Sequence, residues 1–296
     1  MEGFNDYLHR TYITEAKTYQ VHIATEQDYD DYFEVHTLFR ELKDIYTKRD
    51  LNDPRVLCYT QPIYRVADHS FRTAEALMRL AIDGKIIAPD KFIPILEREN
   101  YIHVFTEIMI NKVCAGIERM QEEYDFDAIT VNCSPAEFSN RCFHSDVLEI
   151  ISAHQIQPGK LRLEMTENAM FGDIDAVRFN MDRLADAGIK FYLDDFGTGY
   201  SNLERVTSSR FSTVKFDKSI LYRAMKNEGT DELIDAMVAL LKRRGITPLV
   251  EGVEDEMQSD YCIGKGFDYI QGFKYAKPIP IESLTDYFAK YGTVNT

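Results

Sequence analysis

Residues 190–200 read KFYLDDFGTGY: a short apolar run, Phe191 to Leu193, stops on two adjacent aspartates, Asp194 and Asp195, and the chain then turns on Gly197 and Gly199. Charges at the end of a buried strand are costly unless they are paired or hold something. The stretch therefore raises two questions: what kind of fold ends its strands on carboxylates, and what those carboxylates serve.

Outward from this stretch, from about residue 55 onward, runs of the same kind recur and alternate with longer helical patterns. The strand-like runs are RVLCYTQPIY (55–64), FRTAEALMRL (71–80), DAITVNCS (127–134), KLRLEMTE (160–167), KFYLDDFG (190–197), STVKFDKS (212–219), ITPLVEGVE (246–254) and DYIQGF (268–273). Helical patterns cover 101–124, 173–188 and 230–245, the last two with Gly188 and Gly245 as stops. Eight strands with intervening helices predict a largely parallel sheet closed into a TIM-type (β/α)8 barrel. The link RVADHS between the first two runs is too short for a parallel crossover, which takes about a dozen residues. One strand of that pair should therefore run antiparallel. Residues 1–50 are rich in Tyr, Asp and Glu, and 32–50 read as an amphipathic helix. The expected organisation is a mainly helical N-terminal extension, 1–50, followed by the barrel, 51–296.

Bulk properties narrow the function classes. With 296 residues, 45% hydrophobic and 28% charged, the chain suits one large globular domain with an extension. It has no apolar stretch long enough to cross a membrane, and MEGFNDYLHRTY lacks the regions of a signal peptide, so membrane insertion is not expected and a cytoplasmic location is. The five cysteines are scattered without a C-x-x-C pair, which suggests neither a disulfide framework nor a zinc site. A net charge of −15 argues against polymeric nucleic acid as a partner. An acidic protein handling a phosphate substrate needs cations between the two.

Functional side chains of such a barrel come from the C-terminal ends of different strands. Those ends carry Glu75, Asn132, Glu164, Asp194 with Asp195, Lys215, Glu251 and Gln271, spaced by about one βα unit. Converging carboxylates repel one another unless cations sit among them. Oxygen donors with an Asn and no His favour a hard cation, Mg²⁺ or Mn²⁺, over zinc. Adjacent Asp194 and Asp195 suit two ions with one carboxylate bridging, an arrangement for in-line displacement at phosphorus. Taken singly, an Asp pair is more often a helix cap or a solvated turn, and a lone lysine a surface residue. The joint placement carries the reading. The segment GTGYSN lacks the third glycine of a dinucleotide-binding loop.

The pieces QPIY (61–64), EALMR (75–79), IAPDKFIPILE (87–97), VNCS (131–134), LEMTE (163–167), LDDFGTGYSNL (193–203), VKFD (214–217), VEGVE (250–254) and QGFKYAKP (271–278) follow one another in the order found in a known family. The chain resembles the EAL-domain phosphodiesterases that hydrolyse cyclic di-GMP, over about residues 55–285. The resemblance implies a TIM-type barrel with one antiparallel strand and metal-dependent cleavage of cyclic di-GMP to 5′-pGpG. By position, Glu75, Asn132, Glu164 and Asp194 are similar to the ligands of one metal, and Asp194, Asp195 and Glu251 to the surroundings of a second. Lys215 would touch the attacking water, to orient or help deprotonate it, with Glu251 the competing general base. Gln271 and Arg79 fall on the substrate side, Gln271 at a metal-bound water and Arg79 at a phosphate; Glu167 matches the glutamate that anchors the loop after Asp195. The DDFGTGYS loop borders a common dimer interface in the family, which implies a homodimer through that barrel face.

Departures from the family pattern are modest: Leu80 follows Arg79 where an aromatic is frequent, Val250 stands for alanine and Cys133 for leucine. Two other readings compete. A catalytically silent cyclic di-GMP receptor would ordinarily have lost a ligand, and none is lost here. An enolase-like or isomerase barrel with Lys215 as base accounts for the acids but not for the ordered motifs.

Overall fold

The computed structural model describes residues 26–166, 173–198 and 210–292. Its strands are β1 (Val56–Arg65), β2 (Ser70–Ile82), β3 (Lys85–Ile87), β4 (Ala128–Cys133), β5 (Leu161–Thr166), β6 (Lys190–Phe196), β7 (Phe211–Phe216), β8 (Thr247–Val250), β9 (Tyr269–Ile270) and β10 (Ile279–Pro280). Six parallel pairings run from β2 through β4, β5, β6, β7 and β8 to β9, and β1 closes the ring by pairing antiparallel with both β2 and β9. The result is the closed eight-strand TIM-type barrel, with β1 as the strand that runs against the rest.

The short link read in the sequence is the turn between β1 and β2. Asp68 holds it by accepting from Arg65 Nε at 2.8 Å and from Ser70 Oγ at 2.6 Å. Two strands were not expected from the sequence, β3 and β10. β3 returns along β2 through Asp83 and Gly84, whose φ angles of 49° and 74° are those of a type I′ hairpin turn. β10 pairs only with Tyr59 and Thr60 of β1.

The helices are α1 (Glu26–Lys48), α2 (Pro89–Arg98), α3 (Ile102–Met120), α4 (Pro135–Ser139), α5 (Phe143–Ala153), α6 (Ile174–Asp186), α7 (Lys218–Ala224), α8 (Glu228–Arg243), α9 (Glu256–Gly264) and α10 (Leu284–Tyr291). Asp173 caps α6 by accepting from the backbone of Asp175 and Ala176, and Gly188, at φ 99°, follows its end. α3 is buried along most of its length, with Val104, Phe105, Ile108, Val113 and Ile117 wholly enclosed.

α1 is the described part of the N-terminal extension; residues 1–25 lie outside the described residues. Its Leu38, Leu42 and Ile45 join the main core. Burying three such side chains contributes on the order of 5–8 kcal/mol before the entropy of ordering the helix is subtracted. Arg55, just before β1, ties the helix down by pairing with Glu41 at 2.7 Å, Asp44 at 2.8 Å and the buried Asp53 at 2.6 Å. Among the described residues no helix is long and apolar enough to cross a membrane.

The main core lies between the barrel and its helices, while a separate cluster of Ile63, Tyr192 and Leu249 plugs the barrel interior. Strand side chains alternate with a period of two, so the residues two positions beyond this plug face the same way at the mouth. Those residues are Gln61 on β1, Asp194 on β6 and Glu251 after β8.

Candidate active site at the barrel mouth

Lys215 organises the mouth. It is on β7, wholly buried, and its Nζ lies 2.6 Å from Glu164 Oε2, 2.8 Å from Glu251 Oε1, 3.1 Å from Glu75 Oε2 and 3.2 Å from Asp194 Oδ1. One ammonium thus faces four carboxylates supplied by β2, β5, β6 and the residue after β8. Asn132 Nδ2 donates to Glu75 Oε1 at 2.6 Å. Gln271 Nε2 donates to Glu75 Oε2 at 2.7 Å and to Gln61 Oε1 at 3.2 Å, and Gln61 Nε2 in turn donates to the Ala276 carbonyl.

The charges are poorly balanced. Burial works against the Lys215 ammonium, but the carboxylates, Asp194 first, outweigh it and hold the lysine charged well above its usual range. Burial pushes Glu164 well above the usual carboxylate range, opposed by Lys215 and reinforced by Glu75 and Asp194. Asp194 is raised by burial, opposed by Lys215 and reinforced by Glu75; Glu251 is pushed up to about 8 by burial, with Asp194 and Glu75 adding to it. Glu75 goes the other way: despite burial, Lys215 and the amides of Gln271 and Asn132 lower it. Burial thus raises three carboxyls of the cluster, while Glu75 is lowered.

Asp194 and Asp195 are neighbours on a strand, where consecutive side chains ordinarily point to opposite faces. Asp195 has a φ of 57°, in the left-handed region, and the β6–β7 register is irregular between Leu193 and Phe196. This bulge turns the second carboxylate toward the first. The Asp195 N–H donates to Asp194 Oδ1 at 2.9 Å, and the Asp195 carbonyl accepts from Thr198 Oγ1 at 2.9 Å. Arg223 Nη2 holds the Gly197 carbonyl at 2.7 Å. Gly199 lies outside the described residues.

The loops after β8 and β9 meet backbone to backbone. A Cβ on Gly272 would lie 2.0 Å from the Val253 carbonyl oxygen, so only glycine lets Gln271 sit beside the Glu251 loop. Together these loops line a cavity of about 380 Å³ over Glu75, Asp194 and Glu251. Its walls also include Gln61, Asp217, Glu254 and Phe273, which are among the lining residues with no role in the sequence reading. The antiparallel register of β1 and β2 sets Gln61 opposite Glu75.

Two carboxylate triads have ligand oxygens within 4.8 Å of one another: Glu75, Glu164 and Asp194, and Asp194, Asp195 and Glu251. Asp194 belongs to both. Glu164 Oε1 and Gln271 Oε1 are buried without hydrogen-bond partners. A buried, all-oxygen, proton-retaining cluster with orphaned acceptors fits hard divalent cations. Arg79 stands apart from the carboxylates: its Nη1 donates to the Met78 carbonyl at 2.8 Å and its guanidinium lies 5.9 Å from the centre of the Tyr59 ring. Glu167 lies outside the described residues.

The family model of the EAL domain matches residues 47–278. This chain belongs to the EAL domain family. The EAL domain is 30% identical over 239 residues to an uncharacterized signaling protein of Caulobacter vibrioides, covering 80% of this chain and 29% of that protein. It is 31% identical over 224 residues to the cyclic di-GMP phosphodiesterase PdeL of Escherichia coli K12, covering 75% of this chain and 62% of PdeL. The chain thus spans less than two thirds of the length of either relative. Among solved structures, the c-di-GMP complex of the PaMucR phosphodiesterase superposes with a TM-score of 0.74 at 26% identity, covering 82% of this chain and 99% of that one.

Proposed function

We propose that this EAL domain hydrolyses cyclic di-GMP to linear 5′-pGpG, using Mg²⁺ or Mn²⁺ with two ions per active site. The observation that carries the reading is the pair of carboxylate triads sharing Asp194 around a buried lysine. The relatives named as cyclic di-GMP phosphodiesterases lend it chemistry. Glu75, Asn132, Glu164 and Asp194 would hold one ion, and Asp194, Asp195 and Glu251 the other. When bound, the ions supply Lewis-acid polarisation of a phosphoryl oxygen and a water acidic enough to attack near neutral pH.

The chain's own groups do the rest. Lys215 remains an ammonium among its carboxylates, so it orients the attacking water and stabilises charge gathering at phosphorus. Glu251, ionised once cations offset its carboxylate neighbours, would accept the water's proton. The bond from the water oxygen to phosphorus forms as the bond from phosphorus to the ribose 3′-oxygen breaks; that oxygen takes a proton from solvent to become the free 3′-hydroxyl, and the opened ring keeps a 5′-phosphate. Gln271 steadies the water from the β9 side, and Arg79, at the rim, pairs with the second phosphate through its planar fork. Glu167, by its place in the family motif, would anchor the loop after Asp195.

The same reading carries a cytoplasmic location, a division into an extension (1–50) and an EAL domain (51–296), and a homodimer through the barrel face next to Asp194–Ser201. The test is to incubate the purified chain with cyclic di-GMP and Mg²⁺ or Mn²⁺ and follow products by chromatography. Metal-dependent 5′-pGpG, lost with EDTA or in Glu75→Ala, is expected; tight binding without turnover would make the chain a receptor instead.

A further inference from the structure

A further buried carboxyl group, outside the Lys215 cluster, follows β4 in the chain. Glu137 is on α4, only 3% exposed, and its Oε2 accepts from the backbone N–H of Ser134 at 2.6 Å. Ser134 follows the last residue of β4, two positions after Asn132. The bond therefore closes the turn through which β4 leaves the barrel mouth.

α4 is well mounted for this. Phe138 is fully buried and packs edge-on against Phe143 and Phe191, with ring centres 5.0 and 6.1 Å away. Asn180 of α6 donates to the carbonyls of Phe138 and Asn140 at 2.9 and 2.8 Å. Asn132, in contrast, is exposed at the strand end, where its side chain donates to Glu75. Its direction depends on the backbone that follows it.

We infer that Glu137 is a positioning residue for Asn132: the buried carboxyl links the anchored helix α4 to the end of β4 and so aims the Asn132 amide at Glu75. This rests on the metal-dependent reading of the site, because Asn132 matters there as a ligand. Partners that orient ligands typically change metal affinity by about 10–100-fold when removed.

The experiment titrates the full chain with Mn²⁺ alone, reading free Mn²⁺ by electron paramagnetic resonance, in the parent and in Glu137→Ala, Glu137→Gln and Ser134→Pro. The glutamine keeps an oxygen that accepts from Ser134. The proline removes the donor while matching the Ser134 φ of −77°. Expected are a loss of about tenfold or more in Mn²⁺ affinity for Glu137→Ala and Ser134→Pro, and recovery to within about threefold in Glu137→Gln.

Parental affinity in a folded Glu137→Ala, or a Glu137→Gln as weak as the alanine variant at the same melting temperature, overturns the inference. Should Glu137→Ala not fold, Ser134→Pro decides, with parental affinity counting against it. A parent chain that takes up no Mn²⁺ overturns the metal reading itself, an outcome separable from the others.

Discussion

At the scale of single residues the site depends on one lysine and one irregular backbone unit. Lys215 has no water to fall back on, so Lys215→Met leaves four carboxylates, Glu75 and Glu164 of them buried, without their shared cation. A loss of about 3–5 kcal/mol in urea unfolding under chelation is expected, partly restored by Mg²⁺. Gly272→Ala should be nearly as damaging, since its Cβ meets backbone rather than a movable side chain; a melting temperature and turnover equal to the parent's would refute the close approach. Most of the site residues stood out in the sequence because a polar or ionisable group stands near the C-terminal end of most of the expected strands. What could not be read there is how Asp194 and Asp195 reach the same site, since alternation sends neighbours apart and only the bulge at Asp195 overrides it. Gln61 was hidden for a different reason: its place opposite Glu75 is set by register, which no local pattern encodes.

At the scale of elements, the antiparallel sense of β1 was legible from the length of one turn, while β3 and β10 were not, being two or three residues long with no periodicity to detect. The Asp83-Gly84 pair was the available hairpin signal for β3. The attachment of α1 is testable through Arg55. Its removal strands the buried Asp53, and Arg55→Ala should cost about 1–3 kcal/mol, read by urea denaturation. If stability is unchanged, the apolar face of α1 suffices by itself to hold the helix.

At the scale of the whole molecule, the buried acids make stability depend on pH in an unusual sense. Glu251 is pushed up to about 8 and Glu137 to about 7, and burial raises Glu164 and Asp194 as well. Between about pH 4.5 and 8 the folded, metal-free chain binds protons that the unfolded chain has released, so stability falls as pH rises through that window. Lys215 keeps its proton throughout and adds nothing to the slope. Melting under EDTA should therefore drop from pH 5 to pH 8, and Mg²⁺ should raise the melting temperature more at pH 8 than at pH 5; a flat or rising profile under EDTA would contradict the proton-retaining cluster. The reversed strand has a wider consequence. Val56 pairs with Leu80, past Glu75 along β2, so the polypeptide joins the barrel at the rim where substrate would arrive rather than at the opposite floor. A tug on α1 reaches that rim directly, by the shortest lever the architecture offers, without first travelling through the staves.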